Sequence, residues 1–259
     1  MTTSERLSRI ELHSFLEEKV AQYNDSSFIQ SDPISIPHQF TKKEDIEISG
    51  FITAILSWGQ RKAIIQKATL FMQLMDNAPY DFITNMQDPD LQVFHKYVYR
   101  TFNAEDAFYM IKRLQWIYLH KGGLEQTFSN QFKAGAFEAI TSFRHSFTEN
   151  TLPGRTGRHL ADPTKGSAAK RINMFLRWMV RDDKKGVDFG LWKSLSPSLL
   201  ICPLDVHSGR VARKLGILTR NQNDKKAAEE LTSCLIELDP KDPVKYDFAL
   251  FGLGVFEKF

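Results

Sequence analysis

Lys165-Gly166-Ser167-Ala168-Ala169-Lys170-Arg171-Ile172-Asn173 runs straight on into Met174-Phe175-Leu176-Arg177-Trp178-Met179-Val180-Arg181. After an interval comes Pro203-Leu204-Asp205-Val206-His207-Ser208-Gly209-Arg210-Val211-Ala212-Arg213-Lys214-Leu215-Gly216. In the first segment Ile172, Phe175, Leu176 and Met179 recur at i, i+3, i+4, i+7, which predicts a helix with one core-facing stripe. Lys170, Arg177 and Arg181 fall together on another side, an expected basic outer face. Ser167 after Gly166 reads as an N-cap and places Lys170 in the first turn. The helix macrodipole disfavours a cation there, which suits a nucleophilic amine. On these residues alone, a solvated surface lysine remains the other reading.

The second segment is bounded more sharply. Pro203 precedes it, Asp205 stands where an N-cap belongs, and Gly216 follows the last periodic residue as a C′ glycine. Leu204, Val211, Ala212 and Leu215 share one face, and Arg210, Arg213 and Lys214 another. Asp205 is the only acid between Asp188 and Asp224. Capping amides and nearby cations keep such a carboxylate ionised, ready to face a developing positive charge. A purely structural cap is the alternative.

Leu204-Asp205-Val206-His207, followed by Arg210 to Gly216, resembles the aspartate segment of the helix-hairpin-helix DNA glycosylase superfamily, which includes endonuclease III and the 8-oxoguanine glycosylases. Gly166 to Asn173 is similar to that family's hairpin and following helix: a glycine, a lysine four positions later, an asparagine three beyond. A third segment, Ala54-Ile55-Leu56-Ser57-Trp58-Gly59-Gln60 through Ala63 to Lys67-Ala68, resembles the family's early helix end and the helix after it. The resemblance implies an all-α, two-lobed glycosylase-like fold over residues 1–259, with a helix-hairpin-helix-like element. It also implies Lys170 as a Schiff-base nucleophile and Asp205 as the catalytic carboxylate. Gly59, Gln60, Arg61, Lys165, Gly166, Ser167, Ala168, Arg177 and Arg210 would contact nucleic acid. The chain departs from the pattern at Ala168, where the hairpin's second glycine usually stands, and in a long Lys170–Asp205 interval holding Asp182 to Gly186 and Trp192. Gly59 replaces a glutamine that wedges into the duplex in some members, with Gln60 adjacent. As a whole the chain also resembles an uncharacterised bacterial family of conserved hypothetical proteins.

The chemistry attached to that resemblance is base excision in DNA repair, of hydrolase or lyase type. A fixed carboxylate stabilises the sugar cation as the base departs, and a neutral lysine attacks the sugar carbon to give an imine whose collapse nicks the strand. The implied partner is damaged duplex DNA, with the target base flipped out of the stack. A non-catalytic DNA-binding relative, and an unrelated all-α enzyme or interaction module, stay open as alternatives.

At 259 residues the chain is long enough to bury a sizeable core. Its 42% hydrophobic and 25% charged residues are ordinary for a soluble globular protein. A net charge of +3 says little about partners, but its distribution says more. From Arg155 to Arg181 there are seven Lys and Arg against one acid, Asp162, a surface suited to a phosphate backbone. Cys202 and Cys234 lack CxxC spacing, so neither a zinc site nor an iron–sulfur cluster is indicated, and no cofactor is implied. The first residues do not form a signal peptide and no apolar run reaches about 18 residues, so a reducing cytoplasm and no membrane are expected.

Elsewhere the periodicity predicts a helix over 8–23 with Ile10, Phe15, Leu16 and Val20 on one face, and a buried helix over 45–57. Another should follow Trp58-Gly59-Gln60-Arg61 as far as Met75. Pro79 and Pro89 read as breakers in a mixed region with an aromatic cluster at Phe94, Tyr97 and Tyr99. A helix from about 103 to 119 should stop at Gly122-Gly123, with shorter ones near 124–132 and 136–148. Leu152 to Arg158 reads as a flexible basic loop. Helices near 223–238 and 243–257 finish the chain, with Gly252 and Gly254 as close-packing positions. No sustained period-2 alternation, internal repeat or low-complexity tract is present.

Overall fold

The computed structural model describes residues 7–148, 155–182 and 184–259. In chain order the elements are α1 (Arg9–Tyr23), α2 (Ser27–Ser31), α3 (Lys43–Leu56), α4 (Arg61–Gln73), α5 (Pro79–Asn85), β1 (Val98–Tyr99), β2 (Phe102–Asn103) and α6 (Ala104–His120). There follow α7 (Gly123–Ser129), α8 (Ala136–Thr148), α9 (Lys170–Val180), α10 (Val206–Lys214), α11 (Lys225–Leu238) and α12 (Tyr246–Val255), with short 3-10 turns between. Among the described residues the protein is all-α apart from one two-stranded antiparallel hairpin, Val98 opposite Asn103 and Tyr99 opposite Phe102. The chain divides into two compact units, one from residues 1–28 and 163–259, the other from residues 29–162.

The second unit is built around α3. Every residue from Ile46 to Leu56 is buried, and Glu47, the one charged residue among them, accepts from the Tyr118 hydroxyl at 2.7 Å. Helices α4, α5 and α7 pack on α3, and α6 packs on α5, α7 and α8. The ends are set by local chemistry. Asn103 caps α6 and the Asp106 carboxylate returns to the Asn103 amide, a reciprocal capping box. Pro79 and Pro89 stand in the first turns of short helical segments where breakers were expected, because a first-turn residue has no intrahelical partner for its N–H. Phe71, Phe94, Tyr97 and Phe102 form a buried aromatic cluster with centroids 4.7–6.4 Å apart. The expected basic loop at 152–158 lies partly outside the described residues. Its described end, Thr156–His159, is a 3-10 turn with Thr156, Gly157 and His159 buried.

In the first unit α12 packs against both α1 and α10. Two glycines make that approach feasible: a Cβ at Gly252 would lie 2.1 Å from the Tyr23 ring, and one at Gly254 would lie 3.1 Å from the His207 carbonyl oxygen. In α1 the buried stripe is Leu12, Leu16 and Val20, and Ile10, expected in the core, is 80% exposed. Ile10 sits about 200° round the helix from Leu12, so only one of them can face inward. The segment after α9 folds back on it, with the Phe189 and Trp192 amides donating to the Trp178 and Met179 carbonyls, 2.8 and 2.9 Å. Among the described residues no helix is long and apolar enough to cross a membrane.

Candidate functional site

Gly166 adopts φ +83° with open space around a would-be Cβ, so backbone conformation alone favours glycine there. The turn that follows is held from several sides. Lys225 donates its amide to the Gly166 carbonyl (2.9 Å), Ser167 bridges to Asp224, and Asn173 Nδ2 donates to the Ala168 carbonyl (2.9 Å). Ser167 is not the N-cap that the sequence suggests. Its Oγ accepts from the Ala169 amide (3.2 Å), and Ala169 itself is the residue before α9, at φ +48°, with no side-chain cap. The second left-handed position therefore falls on Ala169 rather than Ala168, at a cost of about 1 kcal/mol for a residue with a Cβ.

Lys170 is consequently the first residue of α9. Its Nζ lies 3.7 Å from Asp205 Oδ2 and 3.6 Å from Met174 Sδ. Asp205 is the N-cap of α10, as expected. Its Oδ1 accepts from the His207 and Ser208 amides at 2.8 and 3.0 Å, and Ser208 Oγ accepts from the Asp205 amide. One carboxylate oxygen thus caps a helix while the other faces the lysine. The two side chains keep 28% and 23% of their surface open, enough for a ligand to reach them. Burial pushes the Asp205 carboxyl upward, but the Lys170 charge and the two amides outweigh it, and its pKa is lowered. Gly216 follows α10 at φ +75°. The Gly216 and Ile217 amides donate to the Arg213 and Ala212 carbonyls, a Schellman closure.

The expected basic outer face of α9 is absent. Lys170, Arg177 and Arg181 do share one side, but all residues from Ile172 to Val180 are buried, and Arg177 and Arg181 are only 4% and 2% exposed. Arg177 pairs with Asp188 (3.2 Å) and Asp247, and Arg181 pairs with Asp188 (3.1 Å) and Asp242 (2.8 Å). Both guanidinium groups also lie over the Phe248 ring, at 4.2 and 5.4 Å. Arg177 is therefore a core ion-pair residue rather than a contact for nucleic acid, because buried arginines must have their charge matched. Burial raises the Asp247 carboxyl to about 6 despite the opposing charges of Arg177 and Lys170. The sequence gives one signal for Asp247: it is a lone carboxylate in the otherwise apolar α12.

The other expected contacts scatter. Lys165 and Gly166 are exposed, Ser167 is half-buried and Ala168 is buried. Arg210 is exposed and donates to the Gly254 carbonyl (2.9 Å). In the second unit Gly59 and Gln60 are exposed and Arg61 half-buried, at the start of α4. Gly59 is at φ +112°, and a Cβ there would come within 2.8 Å of Arg100 Nη1. Among the described residues no group of three or more His, Cys, Asp or Glu side chains forms a metal-ligand set.

No curated protein and no solved structure matches the chain. One family does, described as "Protein of unknown function (DUF2400)", and it matches residues 32–256. That span takes in α3 to α12, including Lys170 and Asp205, and the chain belongs to this family.

Proposed function

We propose that the chain is a DNA base-excision enzyme with a glycosylase-like fold, and that Lys170 and Asp205 are its working pair. The observation that carries the reading is the approach of the Lys170 ammonium nitrogen to one Asp205 oxygen, 3.7 Å, at the starts of two helices. An ionised Asp205, fixed by two amides, would stabilise positive charge growing on the sugar as the C1′–N bond breaks and the base leaves with the bonding pair. Lys170, once it has released a proton, would supply its lone pair to C1′. Ring opening then gives an imine, and loss of a C2′ proton expels the 3′ phosphate. Asp205, 3.7 Å from the Lys170 nitrogen, would hold the amine toward that carbon.

Imine formation is the testable step. Borohydride should trap the protein covalently on a duplex carrying a suitable lesion or an abasic site. Lys170→Gln should abolish trapping, and Asp205→Asn, which keeps a capping oxygen, should slow base release by roughly 10²–10³. The same 3.7 Å pair would also serve as a strap between α9 and α10 in a DNA-binding relative without excision activity. Intact duplex binding with neither trapping nor base release across a broad lesion panel would establish that second reading instead.

A further inference from the structure

The turn between β1 and β2 gathers arginines that the fold leaves largely unneutralised. Arg155 and Arg158 both donate to the Thr101 carbonyl, the latter at 3.4 Å, so two guanidinium groups converge on one neutral oxygen. Arg100, the preceding residue, is exposed and stands at φ +55°, a conformation that residues with a Cβ seldom adopt. Its guanidinium lies over the Trp58 ring at 4.4 Å, and the Tyr99 hydroxyl donates to the Trp58 carbonyl (2.7 Å), tying the hairpin to the α3–α4 junction. Gly59 makes the stack feasible, since a Cβ there would meet Arg100 Nη1. Arg155 alone has a carboxylate partner, the fully buried Asp106 at 3.3 Å. Asp106 also holds Thr156 (2.6 Å) and His159 (3.2 Å), which fixes the segment carrying Arg155 and Arg158. Among the described residues no carboxylate is within ion-pair distance of Arg100 or Arg158.

Like charges gathered at one turn without counter-charges repel, and beyond the Arg100–Trp58 stack and the hydrogen bond to Thr101 the fold gains little from them. The geometry points to a phosphate-backbone contact made by Arg100 on the β1–β2 turn and Arg158 held against it, with duplex DNA as the partner. The choice of DNA rests on the base-excision reading. The contact itself requires only a regularly spaced polyanion and two cations held at one turn. Stacking on Trp58 keeps the Arg100 guanidinium plane fixed while its edge N–H groups stay available to a phosphate oxygen.

The test is anisotropy of a labelled 20-base-pair duplex over a salt series with the full chain, Arg100→Asn, Arg158→Gln and the double variant. Asparagine tolerates the left-handed conformation at position 100, and Arg158→Lys, which keeps the charge, serves as a rescue. Each single neutralisation should flatten the log K against log salt slope by about one, and the double by about two, while Arg158→Gln leaves the thermal midpoint unchanged. The lysine variant should restore the slope. Wild-type slope in the double variant would overturn the proposal, as would failure of the wild-type chain to bind at 50 mM salt or equal binding of poly-glutamate. The two readings separate cleanly. Trapping at Lys170 with a wild-type slope in the double variant removes the contact and keeps the enzyme. A slope that depends on both arginines, with no trapping on any lesion, removes the enzyme and keeps the contact.

Discussion

Two arginine clusters in this protein show opposite solutions to the same problem. In the first unit Arg177 and Arg181 are enclosed by Asp188, Asp242 and Asp247, so three carboxylates meet two guanidiniums in a nearly dry environment. In the second unit Arg100, Arg155 and Arg158 gather at one turn with a single carboxylate, Asp106, at hand. The first cluster is matched but nearly dry, and burial makes Asp247 hold its proton up to about pH 6 despite the charges of Arg177 and Lys170. The second has too little negative charge. A cation matched within the fold specifies the fold, and an unmatched one is left for something outside it.

The largest expected effect breaks the first cluster. Arg177→Met should leave Asp188 and Asp247 without a shared cation and cost about 3–5 kcal/mol in chemical denaturation, because the uncompensated charges stay buried. A loss under about 1 kcal/mol would mean that the pair is far better solvated than its burial indicates.

Next comes pH. Folded Asp247 binds its proton more tightly than an unfolded aspartate does, so between about pH 4 and 6 the folded chain carries the extra proton and its stability falls as pH rises. Above about 6 the penalty, roughly 3 kcal/mol, is complete, and below about 4 it vanishes. Other carboxylates titrate in the same window, so the informative quantity is a difference. Measured against Asp247→Asn, the wild-type chain should lose stability as pH is raised from 4 to 7. A difference that stays flat would show that Asp247 is ionised throughout.

Two smaller effects divide the second cluster. Arg155→Gln should cost about 1–2 kcal/mol, since Asp106 is fully buried and loses one donor while keeping Thr156 and the Asn103 amide. Arg158→Gln should move stability by less than about 0.5 kcal/mol and register only in the salt dependence of binding. Equal destabilisation by the two would erase the contrast between matched and unmatched cations.

These clusters also mark the limit of what neighbouring residues encode. Helical periodicity correctly placed Ile172, Phe175, Leu176 and Met179 in the core, and it put Lys170, Arg177 and Arg181 on a common face. It could not say what covers that face. Asp247 is 70 residues beyond Arg177, and Asp242 is 61 beyond Arg181. Asp205 was legible because an N-cap is written in nearby residues: a proline before and a glycine after the last turn. Ser167 misled for the converse reason. Gly-Ser before an apolar stripe reads as a cap, yet the turn runs two residues further, and an alanine takes the strained position. The β1–β2 hairpin was invisible because strands of two residues contain no alternation to detect.

The interrupted first unit has a consequence for how the protein is made. Its opening helix α1 packs on its closing helix α12, and the entire second unit is encoded between the halves. On the ribosome α1 emerges more than 200 residues before its partner is synthesised. At about 5–20 residues per second it must wait on the order of 10–40 seconds with Leu12, Leu16 and Val20 uncovered. The contiguous stretch of residues 29–162 can settle long before then. Birth order and assembly order therefore part: α1 is made long before α12, yet reaches its place only once α12 exists.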